Sequence, residues 1–111
     1  MGDHPKRMKR LLRELAVVAH ERELRRALVP VAEAFRRWEN GDVSSFELSD
    51  VIHEYHDGLS RQLFVKYARP HDYTAVAHAI AIGVLDRTEV PLELLDYLAR
   101  AIEYYESERA E

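Results

Sequence analysis

At 111 residues the chain has room for one domain, and folding at this size removes roughly two thirds of the unfolded surface from water, enough for a core without staples. A composition of 47% hydrophobic and 32% charged residues, with four Gly and four Pro, excludes a disordered chain and favours helices. The absence of cysteine excludes disulfides, thiolate zinc sites and a cysteine nucleophile, and the net charge of −4 hides an asymmetry: ten Lys and Arg against six Asp and Glu in residues 1–40, then six against fourteen.

That asymmetry predicts complementary faces docking within a bundle or between copies of it. No cleavable signal is expected, because the run after Lys6, Arg7, Lys9 and Arg10 is cut at once by Arg13 and Glu14. The longest uncharged run, residues 73–85, contains His78 and falls short of the ~20 residues a membrane span needs. These features point to a cytoplasmic protein.

Asp3 and Pro5 suit the N-cap region and first turn of a helix that nothing stops before Asn40-Gly41, a glycine ending. Leu24, Leu28, Val31, Phe35 and Trp38 recur at spacings of four, three, four and three, the seam of a helix packed nearly parallel to another. Leu11, Leu15 and Val18 form an earlier seam out of register with it. The shift falls at residues 20–23 and Pro30 lies within the second seam, so a bend or break is expected between them.

Ser44 followed by Glu47 is a capping box and starts a second helix, with Val51, Ile52, Tyr55, Leu59, Leu63 and Tyr67 as its apolar stripe. Arg69-Pro70 ends it, since a residue before proline avoids the helical region. Gly58 inside this helix is a weak point that would also let a neighbour approach closely. A third helix is expected over residues 72–85, smooth and central because of Ala75, Ala77, Ala79 and Ala81. Pro91 suits the first turn of a fourth helix carrying Leu95, Leu98, Ile102 and Tyr105 at coiled-coil spacing, with residues 106–111 fraying.

With no strand alternation, repeat or long linker, the expectation is a single all-α domain over residues 1–111, a four-helix bundle with a long, kinked first helix. A helix of about 35 residues extends about 50 Å, longer than such a domain is wide. Part of its seam then needs a partner. The leading functional expectation is therefore a homo-oligomer with Leu24, Leu28, Val31, Phe35 and Trp38 at its interface, acting as a non-enzymatic interaction or adaptor module without a cofactor.

The second expectation is a metal-dependent hydrolase using His53, His56 and Asp57. The string from His53 to Asp57 fails the zinc-protease pattern, because Asp57 stands where the second histidine belongs and His56 comes one residue early. His53 and Asp57 share a helix face and offer nitrogen and oxygen ligands, but their simplest reading is a solvent-side ion pair extended to Arg61. Further ligands would have to come from His71, His78, His20 or Glu33. Di-iron bundles need Glu-x-x-His pairs, and only Asp50-x-x-His53 occurs.

The dipeptides His56-Asp57 and His71-Asp72, with His20 before and Asp86 after, give the chain a loose similarity to the metal-dependent HD phosphohydrolases, which are also all-helical. Membership would imply a metal-assisted phosphohydrolase. His56-Asp57 lacks the apolar-Gly-Lys continuation often seen in that family, which counts against it. A third expectation is nucleic-acid binding through Lys6, Lys9, Arg10 and Arg13, which share about 100° of arc opposite Met8, Leu11, Leu12 and Leu15. No aromatic residues interleave them and the pI is only 5.9, so a solvated helix face is the simpler reading. Tyr97, Tyr104, Tyr105 and Trp38 read as core or subunit-interface anchors.

Overall fold

The computed structural model of the chain describes residues 5–68 and 73–110. It has helices α1 (Lys6–Glu39), α2 (Ser45–Tyr55), α3 (Arg61–Lys66), α4 (Tyr73–Ala81) and α5 (Leu92–Ala110), with a π-helical turn at His56–Ser60 and a 3-10 turn at Arg87–Glu89. No strand occurs among the described residues. Helix α2, the π turn and α3 follow without a break, so the described residues form four helical rods and the all-α expectation holds.

Helix α1 runs as one element through Pro30. The proline ring denies the carbonyl of Arg26 its helical partner, and both residues are exposed, so water can take that place. Pro5 stands at the N-cap without a side-chain cap, not in the first turn, and Asp3 lies outside the described residues. At the other end Gly41 takes φ +79°, with its N–H donating to Trp38 O (3.0 Å) and that of Asp42 to Arg37 O (2.8 Å). This double closure is the Schellman ending that Asn40-Gly41 predicts. The capping box is also as expected: Glu47 N donates to Ser44 Oγ and Ser44 N to Glu47 Oε1, both at 3.0 Å.

Two expected boundaries are corrected. The third helix ends at Ala81, not near Leu85, because Gly83 at φ +82° closes a second Schellman motif, with Val84 N donating to Ala79 O at 2.9 Å. Its expected start at Asp72, like Arg69-Pro70, lies outside the described residues. The final helix does not stop short of the tail: it continues to Ala110, tied by Arg109 Nη1 donating to Ala81 O (2.8 Å) and by Arg87 with Glu106 (3.0 Å).

The core joins the first half of α1 to α3, α4 and α5. Leu12, Val76, Leu85, Leu94, Leu98 and Ile102 are its largest fully buried side chains. Six of the nine residues of α4 are buried, four of them alanines, so α4 packs closely enough to be covered on nearly every side. The second half of α1 and α2 extend beyond this core as a two-helix arm. Of all the buried hydrophobics, Leu48 alone belongs to α2, and it stands outside the main core cluster. The molecule measures 55 × 27 × 23 Å with a radius of gyration of 17.3 Å, where a compact chain of this length would have about 13 Å.

The π turn reconciles the arm with the core. Inward apolar positions and Gly58 run 48, 51, 55 and 58, then 63 and 67, with Ser60 half-buried between them. The step of five from Gly58 to Leu63 cannot stay on one face of an α-helix, and one wide turn absorbs the extra residue. Gly58 therefore does mark the weak point, but a Cβ there would meet nothing within 4 Å, so it is no site of close approach.

Candidate functional site

The arm and its base carry a series of exposed apolar side chains. Leu28 (43% exposed), Phe35 (41%), Ile52 (41%), Leu59 (51%) and Phe64 (67%) all keep a large share of their side chains in water. Two contacts set how the arm's helices face each other: Trp38 Nε1 donates to Ser45 Oγ at 2.9 Å near the tip, and His20 stacks on Tyr67 with centroids 5.0 Å apart at the base. At about 100° per residue, Val17, Leu28 and Phe35 fall within about 20° of one another on α1, and Leu12 and Ala19, which face the core, lie some 140–180° away. The exposed stripe thus runs along the side of the arm opposite the core.

Counting from the two contacts, Phe35, Ile52, Leu28, Leu59 and Phe64 follow in that order from tip to base. Phe35 and Leu28 come from α1, and Ile52, Leu59 and Phe64 from the rod formed by α2, the π turn and α3. Of the five seam residues read from the sequence, Leu24 is half-buried against the core and Val31 is half-buried, while Leu28, Phe35 and Trp38 remain exposed. The seam is therefore shared between contacts inside the chain and open surface. Ile52 and Leu59, expected to be covered by other helices, face water for the same reason.

Where the arm meets the core lies a polar cluster that sequence reasoning missed. Lys66 Nζ donates to Glu23 Oε2 (2.8 Å) and lies 2.7 Å from His78 Nδ1, and Tyr67 OH donates to the same Glu23 oxygen. His20 covers one face of Tyr67, and His78 meets the edge of Tyr105 at 5.0 Å. These residues come from α1, α3, α4 and α5, with separations of 43 and 12 residues across the Lys66 contacts, so no local motif announces them.

Burial alone would push the Glu23 carboxyl up, but the hydrogen bonds from Lys66 and Tyr67 outweigh it and hold it below its ordinary value. Burial, then the Lys66 charge, holds His78 below its ordinary value. Lys66 Nζ can only donate, so the facing Nδ1 of the His78 ring is the acceptor. Burial and the Glu23 carboxylate push the Tyr67 phenol well up, so it stays a donor. The cluster is a chain of charge-assisted hydrogen bonds clamping the base of the arm to His78 of α4, whose ring contact with Tyr105 carries the packing on to α5.

His53, His56 and Asp57 do converge, on the solvent side. His53 Nε2 lies 3.0 Å from Asp57 Oδ2 and His56 Nδ1 3.2 Å from Asp57 Oδ1, with all three side chains exposed. The hydrogen bond with His56, then the charges of His53 and Arg61, hold the Asp57 carboxyl down. Both imidazoles are turned onto one carboxylate. Among the described residues, no three His, Asp or Glu side chains are arranged to hold a metal. His20 and His78 belong to the junction cluster, His71 lies outside the described residues, and Glu33 is exposed on the arm.

The basic side chains Lys6, Arg7, Lys9, Arg10 and Arg13 line a shallow depression at the start of α1. Arg7 pairs with Glu93 and Arg10 lies 4.0 Å from Glu14. A separate groove of about 610 Å³ between α4 and α5 is lined by Tyr73, Thr74, Tyr97, Arg100, Tyr104 and Tyr105. Of the expected aromatic anchors, Tyr105 packs against the core while Tyr97 and Tyr104 stay exposed. No helix is long and apolar enough to cross a membrane among the described residues. Comparison with protein-family models, curated proteins and solved structures found no match.

Proposed function

We propose that the protein is a self-associating helical interaction module whose working surface is the α1–α2 arm. The observation that carries this reading is the apolar stripe of Leu28, Phe35, Ile52 and Leu59 on the side of the arm turned away from the core. A contiguous apolar strip on an otherwise charged surface has a standing tendency to be covered by another protein. An arm of two helices presents it rigidly, at low entropic cost of binding. A chain free of cysteine suits the reducing cytoplasm, which is where we place it.

Light scattering over a range of concentrations tests the reading. The elongated shape would make a monomer elute early from a sizing column, so mass must be measured directly. The expected result is a multiple of the 12.9 kDa chain mass that reverts to one copy when Leu28→Glu and Phe35→Glu are combined, with helicity unchanged by circular dichroism. A wild-type mass of one copy at every concentration refutes it.

A further inference from the structure

We propose that a second copy of this chain seats on the apolar face antiparallel, about a two-fold axis near Leu28 and Leu59, with the basic start of each α1 over the acidic tip of the partner's arm. This rests on the self-association reading and adds to it the face, the orientation and the charge pairing.

Three observations carry it. First, the stripe from Val17 to Phe35 is centred near residue 26 of α1, level with Leu28 and Leu59, so a copy related by a two-fold axis there overlays apolar on apolar towards both ends, with the exposed Glu21–Arg25 pair beside the centre. Its footprint is about 30 Å by 20 Å, or about 600 Å² in projection before side-chain relief is counted, against the ~800 Å² per partner of a standard interface.

Second, the two ends of that stripe carry opposite charge. At the base stand Lys6, Lys9 and Arg13, for which no ion pair exists among the described residues, together with Arg7 and Arg10. At the tip stand Glu39, Asp42, Glu47 and Asp50 against Arg36 and Arg37, again without an ion pair among the described residues. Third, the lever arms match: Arg13 and Glu39 each lie 13 residues from residue 26, about 20 Å along the helix. Antiparallel seating therefore brings the base of one copy onto the tip of the other. Parallel seating would oppose five cations to five cations, which specificity by charge disfavours.

The absence of native cysteine permits single spin labels at Glu14→Cys (base), Arg25→Cys (centre) and Asn40→Cys (tip), with inter-copy distances read by pulsed dipolar spectroscopy. The proposal expects a distance under about 20 Å at the centre and about 35–40 Å at both base and tip. Short distances at all three sites would mean parallel seating, and a long distance at the centre would mean a different face; either overturns the proposal while leaving self-association standing. A single-copy mass for the unlabelled protein defeats the underlying reading instead. Independently, Lys9→Glu with Arg13→Glu should weaken the dimer about tenfold, and adding Glu39→Lys with Asp42→Lys to the same chain should restore it. Failure of the rescue overturns the charge pairing.

Discussion

Replacing Glu23 by alanine should be the most damaging polar substitution in the protein. The carboxylate accepts from Lys66 and Tyr67 at a site where the Glu23 and Lys66 side chains are only 14% and 20% exposed. Hydrogen bonds to charged groups contribute about 1.5–3 kcal/mol each, and stranding one member of a buried pair costs about 3–5 kcal/mol. Water at the rim can partly replace the lost acceptor and His78 remains as a partner for Lys66, so the expected loss is about 3 kcal/mol. With a urea m-value of about 1.5 kcal/mol/M, that moves the unfolding midpoint down by about 2 M. Glu23→Gln keeps an acceptor oxygen without the charge and should lose about half as much. The loss also depends on pH. A carboxyl held below its ordinary value stabilises the fold above the unfolded value of 4.5, and that benefit disappears as pH falls through the folded value. The gap between wild type and Glu23→Ala should therefore narrow in acid. His78, also held below its ordinary 6.5, acts in the same direction: its neutral form favours the fold above that value, and the benefit is lost as pH falls below it. A change below about 0.5 kcal/mol at neutral pH for Glu23→Ala would refute the clamp.

Two further outcomes test the local geometry. Gly83→Ala should destabilise by about 1–2 kcal/mol, because an L residue resists φ +82°, whereas Gly58→Ala, with open space around its Cβ and no positive φ, should stabilise by about 0.4–1 kcal/mol in the same urea experiment. Glu89 takes two hydrogen bonds from Arg22 at 2.7 and 2.8 Å and closes a capping box with Asp86, so an NMR titration of its carboxyl should show a midpoint of about 2, and Arg22→Gln should return it towards 4.5.

Much of the fold was legible because its signals are local. Asn40-Gly41 and Ser44 with Glu47 each satisfy their own orphan backbone groups within a few residues, so sequence spacing alone locates those two helix ends. Gly83 carries the same kind of signal as Gly41, but the apolar run on both sides of it masked the stop. The stripe through Ile52 and Leu59 was misjudged because apolar spacing shows which residues share a face, not whether another element covers that face. The junction of Glu23, Lys66, Tyr67 and His78 was not legible: each residue alone looks like an ordinary boundary side chain, and only tertiary packing brings them within 3 Å. His53, His56 and Asp57 were legible as a cluster, since spacings of one and four within a helix already bring them together.

The π turn at His56–Ser60 is the counterpart of one extra residue, so the chain should accept a single deletion there. Deleting one residue there would restore an unbroken α-helix from Ser45 onwards, a gain by every local measure. It would also leave an α-helical step of four between position 58 and Leu63, so the residues downstream would keep their rotational phase. Tightening the turn into an α-helix with every residue kept would instead rotate everything downstream by about 100°, taking Lys66 and Tyr67 away from Glu23 and Leu63 out of the core. Local regularity and global packing are thus opposed at five residues, and the wide turn persists because the rotational phase it sets between arm and core outweighs the helix it spoils.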